Sequence, residues 1–302
     1  MAVAVVILTW NGRDDTLACL RSLSAVTEPE LVPIVVDNGS TDGTVEAVRD
    51  AFPGIELIET GANLGFAGGN NAGIRRALEL GASHVLVLNN DVEVDPRFVS
   101  ALMDEAERRP DAGALCSTIL FAEPPGVIWF AGASFDPRSG YNGRQRGYGE
   151  ADDGRFASVV ETDRACGAAM LVPGPVLEHV GLFDDELFLY VEDVDWSLRA
   201  RAADYRLYVV PRSKVTHKVS AGSGGESSPT TLYYDTRNSI VVYERHAPLA
   251  WLPTRRRRAL VVGAHLAQAV LAGRRREGVG AVLAGWRDAR RGRLGPRRRM
   301  EP

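Results

Sequence analysis

Cysteine is scarce. Cys19, Cys116 and Cys166 are odd in number and widely spaced, with no CxxC pair. That excludes a disulfide framework, argues against a structural zinc and fits a reducing compartment. The apolar start Met-Ala-Val-Ala-Val-Val-Ile-Leu is short and lacks a basic n-region, so it reads as a first strand and not as a signal peptide. Long hydrophobic runs are missing too. The longest later stretch, 259–273, contains His265 and Gln268 and is too short to span a bilayer comfortably. No Gly-x-Gly-x-x-Gly follows the first strand, which disfavours a Rossmann dinucleotide site, and no Gly-x-x-x-x-Gly-Lys-Ser/Thr occurs, which excludes a P-loop. Internal repeats and low-complexity segments are absent. The expectation from these absences is a cytoplasmic globular protein.

What is present supports that reading. The 302 residues, 45% hydrophobic and 25% charged, have the composition of a chain that buries a sizeable core. The formal charge of −4 hides an asymmetry. From Arg245 onward fifteen Arg face three acids, a local +12, whereas the preceding 244 residues carry twenty Lys and Arg against thirty-six acids, or −16. An acidic body with a basic tail points to an anionic surface as the tail's partner.

Residues 1–120 alternate between strand and helix signals. Apolar runs at 3–8, 31–36, 55–59 and 85–88 read as strands, and segments 14–25, 44–51, 70–80 and 96–109 as helices. This alternation predicts an α/β fold with a largely parallel central sheet and helices on both faces. After residue 112 short strands and Gly/Pro turns take over, with a polar loop at 139–149. Helices return at 175–180 and 192–203, a strand at 206–210, and an Arg-rich helical region from 248.

In such a sheet, ligands bind beyond the carboxyl ends of the strands. The first strand ends in Thr9-Trp10-Asn11, the second in Asp37-Asn38-Gly39-Ser40-Thr41-Asp42-Gly43, and the fourth in Asn89-Asn90-Asp91. Each alone could be a turn or a helix cap, since these residue types favour both. Turn chemistry does not explain why polar termini recur on neighbouring strands. Between them the Gly-rich segment 63–70 (NLGFAGGN) reads as a loop that lets backbone approach a ligand. Trp10 and Trp196 read as packing residues.

Residues 7–12 (ILTWNG), 36–43 (VDNGSTDG), 63–71 (NLGFAGGNN) and 88–96 (LNNDVEVDP) resemble the signature blocks of family 2 glycosyltransferases, in particular the rhamnosyltransferase-like branch of bacterial surface-polysaccharide synthesis. Residues 166–172 (CGAAMLV), 183–199 (FDDELFLYVEDVDWSLR), His217 and 233–238 (YYDTRN) extend the likeness over roughly 3–240. The resemblance implies a GT-A fold, a nucleotide-sugar donor, a lipid-linked or growing glycan acceptor and inversion at the anomeric carbon. It implies that Thr9, Asn11 and Asp37 contact the nucleoside, with Asp37 on the pyrimidine edge, and that Asn38, Ser40, Asn63, Gly65, Asn70, Asn89 and Asn90 complete the donor site. Asn89-Asn90-Asp91 matches the DxD metal motif with Asn at its first position, leaving Asp91 as its one anionic ligand for Mg²⁺ or Mn²⁺. His217 matches a histidine that completes metal coordination in relatives; otherwise it is a solvated loop residue. Asp193 matches the catalytic base and Glu192 an acceptor contact. The plainer reading of both acids is favourable placement at a helix N-terminus.

Two rival functions follow from the same residues: a nucleotidyltransferase on a similar sheet, and a catalytically inactive sugar-binding module. The expected organisation is a catalytic domain at 1–245, with a nucleotide half at 1–110 and an acceptor half at 111–245, followed by a basic helical tail at 246–302. Clusters 255–258, 274–276 and 297–299 flank the apolar segment 260–271. On a helical wheel Arg258, His265 and Gln268 fall opposite Leu260, Ala267, Val270 and Leu271, which predicts an interfacial helix on the inner face of a membrane. The alternatives are packing on the catalytic domain or a homodimer contact. Nucleic acid is not expected, because the acidic body would repel a polyanion.

Overall fold

The computed structural model describes residues 2–26, 29–136, 141–219, 225 and 227–297. Ser139, Gly140, Arg298 and Arg299, parts of the polar loop and of the third basic cluster, lie outside the described residues. The first half alternates as the apolar runs predict: β1 (Val3–Thr9), α1 (Arg13–Leu23), β2 (Leu31–Asp37), α2 (Thr44–Ala51), β3 (Glu56–Glu59), α3 (Gly65–Glu79) and β4 (His84–Asn89). β5 (Val92–Val94), α4 (Phe98–Arg108), β6 (Ala112–Phe121), β7 (Ile128–Phe130), β8 (Ala133–Asp136), β9 (Tyr141–Gln145), β10 (Val160–Thr162) and β11 (Ala169–Pro173) follow. The chain continues through α5 (Gly174–Val180), α6 (Glu192–Ala202), β12 (Arg206–His217), α7 (Pro229–His246), α8 (Trp251–Leu271) and α9 (Glu277–Arg290).

One sheet runs in the order β10-β12-β6-β11-β4-β1-β2-β3, with β5 on β12 and β7 on β6. β4, β1, β2 and β3 are parallel, and β11 lies antiparallel between β4 and β6. Val3, Val5, Val6, Ile7, Ile34, Val35, Val36, Leu86 and Val87 are inaccessible on these strands, as continuous apolar runs require when helices cover both sheet faces.

Two elements differ from expectation. Segment 63–70, expected as a loop, is mostly helical, because α3 starts at Gly65. A Cβ on Gly69 would meet Leu8 Cδ1 at 2.3 Å and one on Gly73 would meet Val6 Cγ1 at 2.4 Å, so these glycines let the helix lie close on the sheet. The strand expected at 206–210 extends to His217, with a register shift between Val210 and Lys214 that carries it past Pro211. His217 therefore ends a central strand.

The C-terminal helices pack together. A Cβ on Gly285 of α9 would stand 2.4 Å from the Tyr233 carbonyl of α7, so the two helices touch backbone to backbone. Tyr233 Oη donates to Asp288, and Gly295 N donates to the Glu186 carbonyl at 2.6 Å, returning the chain end to the loop before α6.

Candidate active site

The strand order places β4, β1 and β2 side by side, so their three polar termini share one edge. Asp91 sits in the turn after β4, and β12 brings His217 to the same place through its pairing with β5. His217 Nε2 lies 2.9 Å from Asp91 Oδ1, both side chains being buried. The contact is out of hydrogen-bond alignment, and Asp91 Oδ1 and His217 Nδ1 are left without hydrogen-bond partners. Asn89 Nδ2 approaches His217 Nε2 at 3.4 Å, and the Trp129 ring packs edge-on against the imidazole. A buried oxygen and nitrogen that converge without bonding have the donor set and placement of two ligands of one divalent cation. Among the described residues no group of three or more His, Cys, Asp or Glu could enclose a metal, so further ligands would come from a bound diphosphate. The solvated-loop reading of His217 is thereby corrected.

At the β1 and β2 ends the predicted residues come together, many through bonds to each other. Asn11 adopts φ 51°; its N–H donates to Ser40 Oγ at 2.9 Å and its Oδ1 accepts from Thr41 N at 2.8 Å, bridging the two loops. Asp37 accepts from Gly39 N and Ser40 N, both at 3.1 Å. Buried Thr9 Oγ1 accepts from Thr16 Oγ1, and Asn90 Nδ2 donates to Thr16 Oγ1 at 3.1 Å. Asn38 spends its amide on Asn63 Oδ1, the Gly65 carbonyl and Leu64 N. Asn70 donates to the Phe66 carbonyl, while its Oδ1 is buried and free of hydrogen bonds. Gly65, at φ 75°, faces protein: a Cβ there would stand 2.2 Å from the Phe188 carbonyl. Asn38, Asn63 and Gly65 thus shape the walls of the site. Trp10, expected to pack, is 46% exposed at the β1 terminus, because a strand-end residue has no helix above it. Trp196 does pack, 1% exposed, donating to the Gly181 carbonyl.

Glu192 and Asp193 open α6. The approach to them is strained: Phe188, Tyr190 and Val191 all have φ between 65° and 71° without being glycine. Such backbone persists only where its surroundings fix it. Asn238 Nδ2 donates to the carbonyls of Leu187, Leu189 and Tyr190 at 2.8–2.9 Å, and Arg237 donates to those of Leu187 and Gly295. Both are almost wholly buried, so they pin the loop that presents Asp193.

The Asp193 carboxylate faces Arg164, with Nε 3.6 Å from Oδ2, and accepts from Gly167 N at 3.4 Å. Burial alone would lower the Arg164 pKa; Asp193 reverses this and holds the guanidinium above its ordinary value. Arg164 acts only weakly on Glu192, whose Oε2 is buried without a hydrogen bond. Burial first, and then the charges of Asp193 and Asp235, push its carboxyl up to about 8. Adjacent acids whose environments differ this much suit different roles. Asp195 is structural: burial would raise its pKa, but His246 at 2.7 Å and Arg199 at 2.8 Å hold it below the usual carboxylate range. Sequence reasoning missed Arg164, since a lone Arg carries no local pattern, and it placed Asn238 in the block 233–238 without a role, since contacts to a distant loop leave no mark in the chain.

Comparisons with known proteins accord with this arrangement. The chain is 29% identical over 275 residues to N-acetylglucosaminyl-diphospho-decaprenol L-rhamnosyltransferase of Mycobacterium tuberculosis, covering 82% of this chain and 87% of that protein. It is 26% identical to dTDP-rhamnosyl transferase RfbF of Shigella flexneri, covering 82% of each. The mannosyltransferase PcManGT from Pyrobaculum calidifontis, solved with GDP-Man and Mn²⁺, superposes with TM-score 0.59 at 18% identity, over 96% of this chain and 75% of that one. GalNAc-T7, solved with UDP, GalNAc and Mn²⁺, gives TM-score 0.61 at 15% identity, over 80% of this chain but only 48% of that longer one. These likenesses show a GT-A fold. The family model for glycosyl transferase family 2 matches residues 4–162, more than half of the chain and including the termini of β1, β2 and β4, and the protein belongs to that family.

Proposed function

We propose that the protein is an inverting glycosyltransferase that moves a sugar, from dTDP-rhamnose or a UDP-hexose, to a hydroxyl of a lipid-linked or growing surface glycan. The observation that carries this reading is the converging Asp91–His217 pair at the β4 terminus, where Asn89 N donates to the Ala168 carbonyl and the neighbouring Gly167 N donates to Asp193 of α6. Relatives named as rhamnosyltransferases support the donor class.

Asp91 and His217 would hold Mg²⁺ or Mn²⁺, which when bound would neutralise the leaving diphosphate. Asn11, Ser40 and Asp37 line the nucleoside side, and the exposed Trp10 ring offers a face to the base. Thr9 and Asn90 brace the β1 turn beneath the donor. Asp193 is the base: it takes the acceptor proton as the acceptor oxygen bonds to the anomeric carbon and the bond to the diphosphate breaks on the opposite side. The positive Arg164 keeps Asp193 in place beside protonated Glu192, which has a proton to donate to an acceptor oxygen. A nucleotide-sugar donor puts the reaction on the cytoplasmic side. Family membership sets aside the nucleotidyltransferase reading, and an inactive binding module would have no use for a strained loop that presents Asp193.

The test is release of nucleoside diphosphate from a panel of UDP-, GDP- and dTDP-sugars, with and without divalent metal. Metal-dependent release from one donor class is expected. No turnover of any donor, with a lipid-linked acceptor supplied, would overturn the proposal.

A further inference from the structure

Helix α8 is turned the wrong way round for a helix that ends in water. From residue 258 on, its polar residues turn toward the protein: Arg258 pairs with Glu244, Gln268 donates to Ser227 Oγ, and His265 is half-buried, whereas Arg255 and Arg256 in its first turns are exposed. Val261 and Ala269 are buried on the same side, with Val262 and Leu266 packed beside them. The face left outward from residue 259 to 271 is Ala259, Leu260, Gly263, Ala264, Ala267, Val270 and Leu271, all exposed and without a charge among them, with Leu271 87% exposed. At 1.5 Å per residue that stripe is about 18 Å long. Leu252 is exposed two turns earlier, with the exposed Arg255 and Arg256 between it and the stripe.

An outward stripe that carries no charge, on a helix whose polar residues turn inward, is apolar surface left without a partner. No helix among the described residues is long and apolar enough to cross a membrane, so this one lies along whatever covers it. The charges at its two ends name the occupant. Arg256 stands exposed at the N-terminal end of the stripe, and Arg274, Arg275 and Arg276 stand exposed just past its C-terminal end. A second copy of the chain fits poorly: antiparallel pairing on this face would set Arg256 against 274–276, and parallel pairing would set each cluster against its own copy. A bilayer surface carrying anionic headgroups satisfies the stripe and both clusters together. We infer that the outward face of α8 is a docking surface for an anionic membrane, with Leu260, Val270 and Leu271 inserted at the headgroup boundary and Arg256 and Arg274–Arg276 on the phosphates.

This is independent of whether the protein transfers sugar, and the experiment reads binding alone. The full-length protein is floated with vesicles of phosphatidylcholine containing phosphatidylglycerol, and with pure phosphatidylcholine vesicles, at low and high salt. The expected result is binding to the anionic vesicles that high salt weakens and that falls at least tenfold in the combined variant Leu260→Glu, Val270→Glu, Leu271→Glu. These side chains point into solvent, so the variant should keep the wild-type circular dichroism spectrum and melting midpoint. A second variant, Arg274→Gln with Arg275→Gln and Arg276→Gln, should lose the salt-sensitive part of the binding. Absence of wild-type flotation with anionic vesicles, or equal flotation of the folded triple-Glu variant, overturns the inference. So does a wild-type dimer in sedimentation equilibrium that the triple-Glu variant breaks while no vesicle binding is seen, which would assign the face to a second copy.

Discussion

His217 Nε2 stands 2.9 Å from Asp91 Oδ1, although one residue ends β12 and the other follows β4. Only the antiparallel pairing of β12 with β5, which sets His217 beside Val92, brings them together. If the pair holds the metal, Asp91→Ala and His217→Ala should each reduce turnover by ~10²-fold or more, since even outer partners of a metal cost 10–100-fold. Calorimetric titration with Mn²⁺ in the presence of nucleoside diphosphate should show the same loss in affinity. Wild-type activity that survives exhaustive chelation would remove the metal from the reaction.

Asp193→Asn should lower kcat by ~10²–10⁴-fold while leaving donor affinity within a few-fold of wild type, because only the acceptor proton loses its acceptor. Turnover close to wild type, or a proportional loss of donor binding, would show that another group is the base.

Glu192 carries a pH signature. Its carboxyl moves from 4.5 when unfolded to about 8 in the folded protein. The stability contributed by the protonated form is complete below pH 4.5 and is lost as pH rises towards 8. Glu192→Gln keeps the shape without the ionisation. Its melting midpoint should be less sensitive to pH across that window and higher than wild type at a pH of about 9, by ~2–4 °C or more. Parallel melting curves for the two proteins across the range would contradict the burial argument.

Trp10→Ala should raise the Kd for the nucleotide by roughly five- to 150-fold, the equivalent of ~1–3 kcal/mol of base–aromatic stacking, with little change in melting midpoint because the ring is exposed. An unchanged Kd would return Trp10 to the category of bystander.

Asn238→Ala removes the amide that ties three loop carbonyls together. The Leu187 carbonyl keeps its bond from Arg237, but leaving those of Leu189 and Tyr190 without the amide costs ~1–3 kcal/mol each, so the protein should melt earlier. With the strained turn at Phe188 and Tyr190 released, kcat should fall far more than the nucleotide Kd rises. Equal effects on both would mean that Asn238 stabilises the fold without positioning Asp193.

Much of this protein could be read from its chain alone. Continuous apolar runs bounded by turn residues located β1 through β4, because strands buried on both faces must be apolar throughout. The recurrence of Asn and Asp at the ends of those strands located the candidate site, and the ordered blocks identified the family. Other features were decided by tertiary structure. Gly69 looked like a loop glycine because glycine's local meaning is conformational freedom, whereas here its missing Cβ, like that of Gly73 in the same helix, is needed for close approach to Leu8 and Val6. His217 acquires a partner only when β12 reaches β5. Glu192 and Asp193 are adjacent and chemically alike, and what separates them is Arg164 on one side and dry packing on the other. Periodicity showed that α8 has two faces, but not which one turns outward. That was settled by the fit of Val261, Leu266 and Ala269 against the neighbouring helices, which left Leu260, Val270 and Leu271 in the open.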